Sequence, residues 1–368
     1  MKEETARNGF IAFALKLMQN TAQAGKNVLV SPYSVIQALS MAAEGAAGET
    51  RSEILSAIGV RETADCRMYH SAQQSEHIKL LTANSAWVRQ NYSIRDDYIR
   101  ALSESGLGDV FQVPFDSSTV EQVNQWINEK TDHMIPVIAE HFSDETAFCL
   151  VNAIRFHANW AAPYGRHELH DDIFIAADGS KQAVTMMVDE YGHTYLSDEY
   201  AEGFIVEYEG ENYSFAALLP KEGMTTEEYL AKLTPERMYK TLSESVRTDA
   251  EVIKGLPEFK YDFGVALNET LKKIGISRAF MMKGADFSGI TDDPAGLYLS
   301  NVLHKTFIEV TPFGTSAGAG TLEEWAVAAC AQILEPKRII LNRPFVYLIF
   351  DRQTKLPMFI GTVNSITD

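Results

Sequence analysis

The sequence predicts an α+β fold built around a large, buried central β-sheet. Three observations carry this. The N-terminal third repeats apolar residues at helix spacing. The remainder is rich in short runs of β-branched and aromatic residues. One of those runs, AFCLVNAI at 147–154, is apolar on consecutive residues apart from Asn152, as a strand covered on both faces must be. With 368 residues, 46% of them hydrophobic, the chain can bury a substantial core. No repeat, low-complexity tract or Pro/Ser-rich linker divides it, so one large domain spanning 1–368 is expected.

Taken in order, Phe10, Phe13, Ala14 and Leu17 define one face of a first helix. Ser31-Pro32 offers an N-cap followed by a proline at the first helical position, leading into YSVIQALSMAAEGA. Ser118-Thr119-Val120-Glu121 has capping-box spacing, and the segment VEQVNQWINEKTDHMIPVI places Val120, Val123 and Ile127 on one face. Strands are expected in AFCLVNAIRFHANW, FIVEYEG, YSFAALLP and LYLSNVLHKTFIEV, and FVYLIFD-RQTKL-PMFIGTV reads as a C-terminal hairpin.

A formal charge of -18 without any Lys/Arg run repels phosphate backbones and anionic polysaccharides, so neither nucleic acid nor heparin is an expected partner. No apolar run approaches the ~18 residues that span a bilayer, so no membrane role is expected, and MKEETARNGF lacks the basic-then-apolar order of a secretory signal. Cys66, Cys149 and Cys330 form no CxxC unit, which suggests neither a metal knuckle nor a disulfide framework. His167-Glu168-Leu169-His170 approximates H-E-x-x-H but spaces its imidazoles i, i+3. With Asp171 and Asp172 following, it reads as an exposed charged segment. No metal or cofactor is expected.

The segment GTSAGAGT at 314–321 fits G-x-S-x-G, the turn that presents a hydrolase's nucleophilic serine, here Ser316. A strand-like HKTFIEV precedes it and an amphipathic LEEWAVAACAQIL follows. Hydrolases with that turn place their histidine after the serine, however, and no histidine follows His304, so Ser316 lacks a base. Side-chain size suggests another use. Thr315, Ala317, Ala319 and Thr321 alternate with Ser316, Gly318 and Gly320, and nothing is bulky. Three glycines disfavour a stable element in isolation, and no proline occurs from Gly314 through Glu335, so the segment could either act as a flexible linker or enter the middle of a sheet.

Several motifs in order resemble the serpin family: NVLVSPYSVIQALSMAAEGAAGETRSEI (27–54), LVNAIRFHANW (150–160), TMMVDE (185–190), LPEFKYDFGVALNETLKKIGI with ADFSGI (256–290), VLHKTFIEVTPFGTSAGAGT (302–321) and NRPFVYLIFDRQTKLPMFIGTV (342–363). The likeness runs roughly from 5 to 365. It implies a central sheet with two further sheets, surrounding helices and an exposed reactive-centre loop at 314–335. It also implies a mechanism: the loop is a protease bait, and after cleavage it inserts as an extra central strand while the acylated protease is dragged away and distorted.

The same resemblance implies residue roles. The hinge is Gly314, Thr315, Ser316, Ala317, Gly318, Ala319, Gly320 and Thr321. Family spacing puts the cleaved bond at Ala328-Ala329, with Val327 or Cys330 as the alternative register. A small residue there suits serine proteases of elastase or subtilisin type, and no Arg or Lys lies between Gly314 and Pro336. Ser31, Ser34, Asn152 and His304 match the polar cluster where the sheet must part, and Trp160 matches the tryptophan at the loop's point of entry. Pro312-Phe313 depart from the acidic residues usual in inhibitory members. Glu323 would face inward after insertion, at a cost of several kcal/mol if left unpaired. A non-inhibitory serpin acting as carrier or chaperone is therefore the rival expectation. The chain is expected to be a monomer, secreted or extracellular with any signal peptide absent from this chain; a cytoplasmic location stays open.

Overall fold

The computed structural model describes residues 2–63, 65, 78–210, 212–244, 246–315 and 336–367. Helix α1 (Lys2–Thr21) buries Phe10, Phe13, Ala14 and Leu17 along one stripe, as their spacing requires. After β1 (Val28–Val30), α2 (Pro32–Gly45) begins at its proline, and the Ser31 hydroxyl accepts the Ser34 N–H at 3.2 Å. Every α2 residue except Glu44 is buried, so this helix belongs to the core rather than to the surface. Then come α3 (Gly48–Ala57), β2 (Ile78–Arg89), α4 (Asp96–Ser105), β3 (Asp109–Val113) and α5 (Ser117–Lys130).

The start of α5 differs from the expected capping box at Ser118. Asp116 is the N-cap, its carboxylate accepting the Ser118 N–H at 2.9 Å, while the Thr119 hydroxyl turns back to accept the Phe115 N–H at 3.0 Å. The helix ends at Lys130, because Asp132 and His133 adopt positive φ of 50° and 63°. Val123 and Ile127 are buried along one face and Val120 is half-buried beside them.

The remaining elements are β4 (Phe148–Asn159), β5 (Leu169–Ile175), β6 (Lys181–Ser197), β7 (Ala201–Glu207), β8 (Tyr213–Pro220), α6 (Thr226–Lys232) and α7 (Pro235–Ser243). They are followed by β9 (Val246–Pro257), β10 (Phe259–Ala266), α8 (Asn268–Ile274), β11 (Leu299–Thr311), β12 (Gly314–Thr315) and β13 (Lys337–Ile340). The hairpin β14 (Phe345–Asp351) and β15 (Pro357–Val363) closes the chain where the sequence places it.

Three sheets result. The central one has the order β10-β11-β12-β4-β2-β3. A second runs β1-β15-β14-β8-β7-β6, and the long β6 carries on into a third, β5-β6-β9-β13. Strand β4 shows why AFCLVNAI is apolar throughout. Leu150, Ile154 and Phe156 join the main core with α2, whereas Cys149, Val151 and Ala153 point the other way into a cluster with Trp87 and with Val123 and Ile127 of α5.

Along most of their length β4 and β11 pair directly and in parallel, with Val302 opposite Leu150, His304 opposite Asn152 and Phe307 opposite Arg155. At their upper ends the two-residue β12 lies between them, antiparallel to both: Thr315 faces Ala158 on one side and Val310 on the other. The central sheet is thus closed below and parted above.

The second sheet packs with little slack. A Cβ added to Gly361 would lie 2.3 Å from the ring of Tyr347, which is fully buried and holds the Tyr261 hydroxyl at 2.6 Å. Gly361→Ala is expected to cost about 1–3 kcal/mol by overpacking, read as a lower thermal unfolding midpoint.

Candidate functional site

Two features lie along the line where β4 and β11 meet. The lower one is a polar row. Asn84 of β2, Asn152 of β4 and His304 of β11 are register partners across three adjacent strands. Beneath them α2 presents Ser34 and Gln37, with Ser31 at its cap. The Ser31 N–H donates to His304 Nε2 at 3.2 Å, so the imidazole proton sits on Nδ1 and is donated to Asn152 Oδ1. The Asn152 amide donates to the Ser34 carbonyl at 3.0 Å and to Asn84 Oδ1; the Asn84 amide in turn donates to Gln37 Oε1 at 2.9 Å. The Ser31 hydroxyl donates to the Met358 carbonyl at 2.7 Å. Ser31, Ser34, Asn152 and His304 are all fully buried.

The structure therefore brings together the four residues named from sequence and adds Asn84 and Gln37. Asn84 carried one signal, a polar residue amid a strand of mostly buried positions. Gln37 carried none, because a single glutamine in a helix is ordinarily a surface residue. Burial holds the His304 imidazole neutral, its pKa lowered to about 3.

The upper feature is the turn that leads from β11 into β12, where the expected hinge begins. Past β11 the chain turns through Pro312 and Phe313, and three donors hold that turn. Trp160 Nε1–H donates to the Thr311 carbonyl at 2.9 Å, the Trp160 backbone N–H to the Phe313 carbonyl at 2.8 Å, and the Tyr164 N–H to the Pro312 carbonyl at 2.9 Å. At Pro312-Phe313, where acidic side chains were the usual expectation, the groups engaged are backbone carbonyls. Gly314 is obligatory by close approach, since a Cβ there would lie 2.1 Å from the Ala158 carbonyl oxygen.

Thr315 is buried, and its Oγ1 lies 2.6 Å from the Tyr208 hydroxyl. Tyr208 stacks on Trp160 with ring centroids 4.6 Å apart and planes 13° apart. Burial raises the Tyr208 pKa, so the hydroxyl keeps its proton. Sequence reasoning found Trp160 and missed Tyr208. Gly314 and Thr315, the first residues of the G-x-S-x-G match, occupy a strand wedged between two others. The expectations for Ser316, Ala317, Gly318, Ala319, Gly320, Thr321, Val327, Ala328, Ala329 and Cys330 fall outside the described residues.

Elsewhere, Cys149 is buried beneath α5, which pushes its thiol pKa up. His167 and His170 are exposed on either side of Glu168, whose carboxylate accepts the Gly165 N–H at 2.6 Å. Among the described residues no group of His, Cys, Asp or Glu is arranged to hold a metal ion, and no helix is long and apolar enough to cross a membrane.

Comparison with known proteins decides the family. Residues 8–366 match the family described as Serpin (serine protease inhibitor). The chain belongs to the serpin family. It is 30% identical to an uncharacterised serpin-like protein of Thermococcus kodakarensis, over 100% of this chain and 87% of that one. It is 27% identical to intracellular coagulation inhibitor 2 of Tachypleus tridentatus, over 99% and 91% of the two chains. Among solved structures, the thermophilic serpin tengpin in its native state superposes with a TM-score of 0.90 at 36% identity, covering 98% of this chain and 94% of that one. Tengpin in its latent state gives 0.84 at 34% identity, covering 100% and 99%. The serpin fold is therefore established, and with it protease inhibition as the general function of the family.

The neutral His304 makes this serpin's stability depend on pH. Between about pH 6.5 and 3 the unfolded imidazole binds a proton that the folded one does not. Its contribution is complete above pH 6.5 and falls by about 1.4 kcal/mol per unit as pH drops through that window. Denaturation midpoints at pH 7, 6, 5 and 4 should decline more steeply for the wild type than for His304→Gln.

Proposed function

We propose that this serpin is a suicide-substrate inhibitor of serine proteases of elastase or subtilisin type, cleaved at Ala328-Ala329, with Val327 or Cys330 as the alternative register. It acts as one domain over 1–368, with hinge and reactive-centre loop at 314–335 and no cofactor. The observation that carries this reading is β12, an antiparallel rung already seated between two parallel strands. Extending that register downward puts Ala317 opposite Phe156, Ala319 opposite Ile154 and Thr321 opposite Asn152, in the row of His304. In an inserted strand small side chains would thus meet the core side, while Gly318 and Gly320 would meet the side covered by α5.

Thr315 is already paired, and each of the twelve residues 316–327 would gain ladder hydrogen bonds worth a net ~1 kcal/mol, on the order of 10 kcal/mol in all. That approaches a domain's whole stability of about 5–15 kcal/mol, so the uncleaved protein would be kinetically trapped. The polar row suits strand separation, because hydroxyl, amide and imidazole groups can exchange partners where interlocked aliphatics cannot. In this reading Thr321 takes up the Asn152 and His304 groups that parting exposes.

Glu323 favours a second reading. Continued that far, the same register would bring its carboxylate opposite Leu150 on the core side, where an unpartnered charge costs several kcal/mol and could stall insertion. A stalled loop would leave a carrier or chaperone without inhibitory action.

Mixing the protein with an elastase-like protease is expected to give an adduct that survives boiling in detergent. Ala317→Arg, which forces a cation into the closed sheet, should abolish the adduct yet leave the loop cleavable. Simple loop cleavage by the wild type, with no adduct and no rise in melting temperature, would sink the inhibitor and leave the carrier.

A further inference from the structure

We infer that Tyr208 is a positioning residue: its hydroxyl, bonded to Thr315, fixes which face of the inserting strand meets the core and in which register. The inference rests on the insertion reading above and concerns what sets the strand's alignment. Side chains alternate along a strand, so a slip of one residue turns every one of them to the opposite side. From Ser316 to Gly320 the segment is only serine, alanine and glycine, so the first residues to enter have little in their own pattern to resist a slip, and Thr321 is the first that does. Alignment at the start of insertion must come from the seat.

The geometry places that seat at Tyr208. Its ring is 1% exposed, stacked on Trp160 and set edge-on against Phe156 at 5.0 Å. Its neighbours are tied to the end of β4 by the Glu209 N–H to Asn159 carbonyl bond and the Ala161 N–H to Glu207 carbonyl bond, both 2.9 Å. The hydroxyl is therefore carried by one wall of the slot and stays with that wall when β11 moves away. With Thr315 in place, Thr321 arrives at Asn152 and His304. Slipped by one residue, Leu322 would arrive there and bury amide and imidazole groups against a side chain that cannot bond them. Leaving the seat also strips both hydroxyls of a partner inside the core, so the hinge is drawn back to the same position.

The variants are Tyr208→Phe, which keeps the stacked ring, Thr315→Val, which keeps the shape, Thr315→Ser, which keeps the hydroxyl, and the double variant Tyr208→Phe with Thr315→Val. Each is titrated against an elastase-like protease for the moles of serpin consumed per mole trapped and for the rate of trapping. Melting temperatures are taken before and after loop cleavage. Because the bond is present in both states, Tyr208→Phe should lower both melting temperatures alike. The hydroxyl favours the aligned over the slipped strand, so the ratio of trapped protease to wasted, cleaved serpin should fall about fivefold, the factor that ~1 kcal/mol of hydrogen bonding converts to, and the net rate of trapping should fall with it. Thr315→Val should match it, the double variant should be no worse than either single one, and Thr315→Ser should behave as wild type. Lowered melting temperatures with an unchanged trapping rate and stoichiometry, or additive losses in the double variant, would overturn the proposal and leave Tyr208 a packing residue. If the wild type traps no protease but its nicked form still becomes harder to melt, the inhibitor reading fails alone. The variants are then ranked by how fast nicked protein acquires that stability, and equal rates overturn the role of Tyr208. A nicked wild type that gains no stability overturns both.

Discussion

Strands β4 and β11 lie side by side in parallel for most of their length and are held apart at one end by two residues of the chain that leaves β11. Everything else around the site can be read as support for that arrangement. A parallel pair in mid-sheet is buried on both faces, so α2 packs one side with an almost wholly buried surface and α5 covers the other. The turn after β11 leaves three carbonyls that must be satisfied, and the end of β4 provides the N–H groups of Trp160 and Tyr164. The same wall carries Tyr208, whose ring stacks on Trp160.

Lower down, the same seam is crossed by polar side chains where a close-packed core would ordinarily place aliphatics. The price of burying Asn84, Asn152, His304, Ser31, Ser34 and Gln37 is met by mutual hydrogen bonding, and the fixed tautomer of His304 follows from its two partners. Such a row holds the strands together while its members are paired to each other, and it offers ready partners to any polar group that comes between them. An aliphatic seam would have had no partners to exchange.

The hinge joins these features. Gly314 fits because the Ala158 carbonyl leaves no room for a Cβ, and Thr315 fits because its hydroxyl reaches Tyr208. Similarity to serpins across residues 8–366 supplies the general function. The seam supplies a physical reason why a strand could be added to this sheet.

Much of this could be read from the chain alone. Local chemistry decided the first helix stripe, the Ser31-Pro32 start of α2, the doubly buried β4 and the closing hairpin, because each depends on residues close together in sequence. The start of α5 was nearly legible. Asp116 and Ser118 are both able to cap, and only backbone geometry selects between them. What tertiary structure alone decided were contacts between distant segments. Tyr208 and Thr315 are 107 residues apart, Asn84 and Gln37 are 47 apart, and no local period marks them as partners. Their meeting depends on the register of whole strands, a collective property of sheet pairing that a window of sequence does not contain.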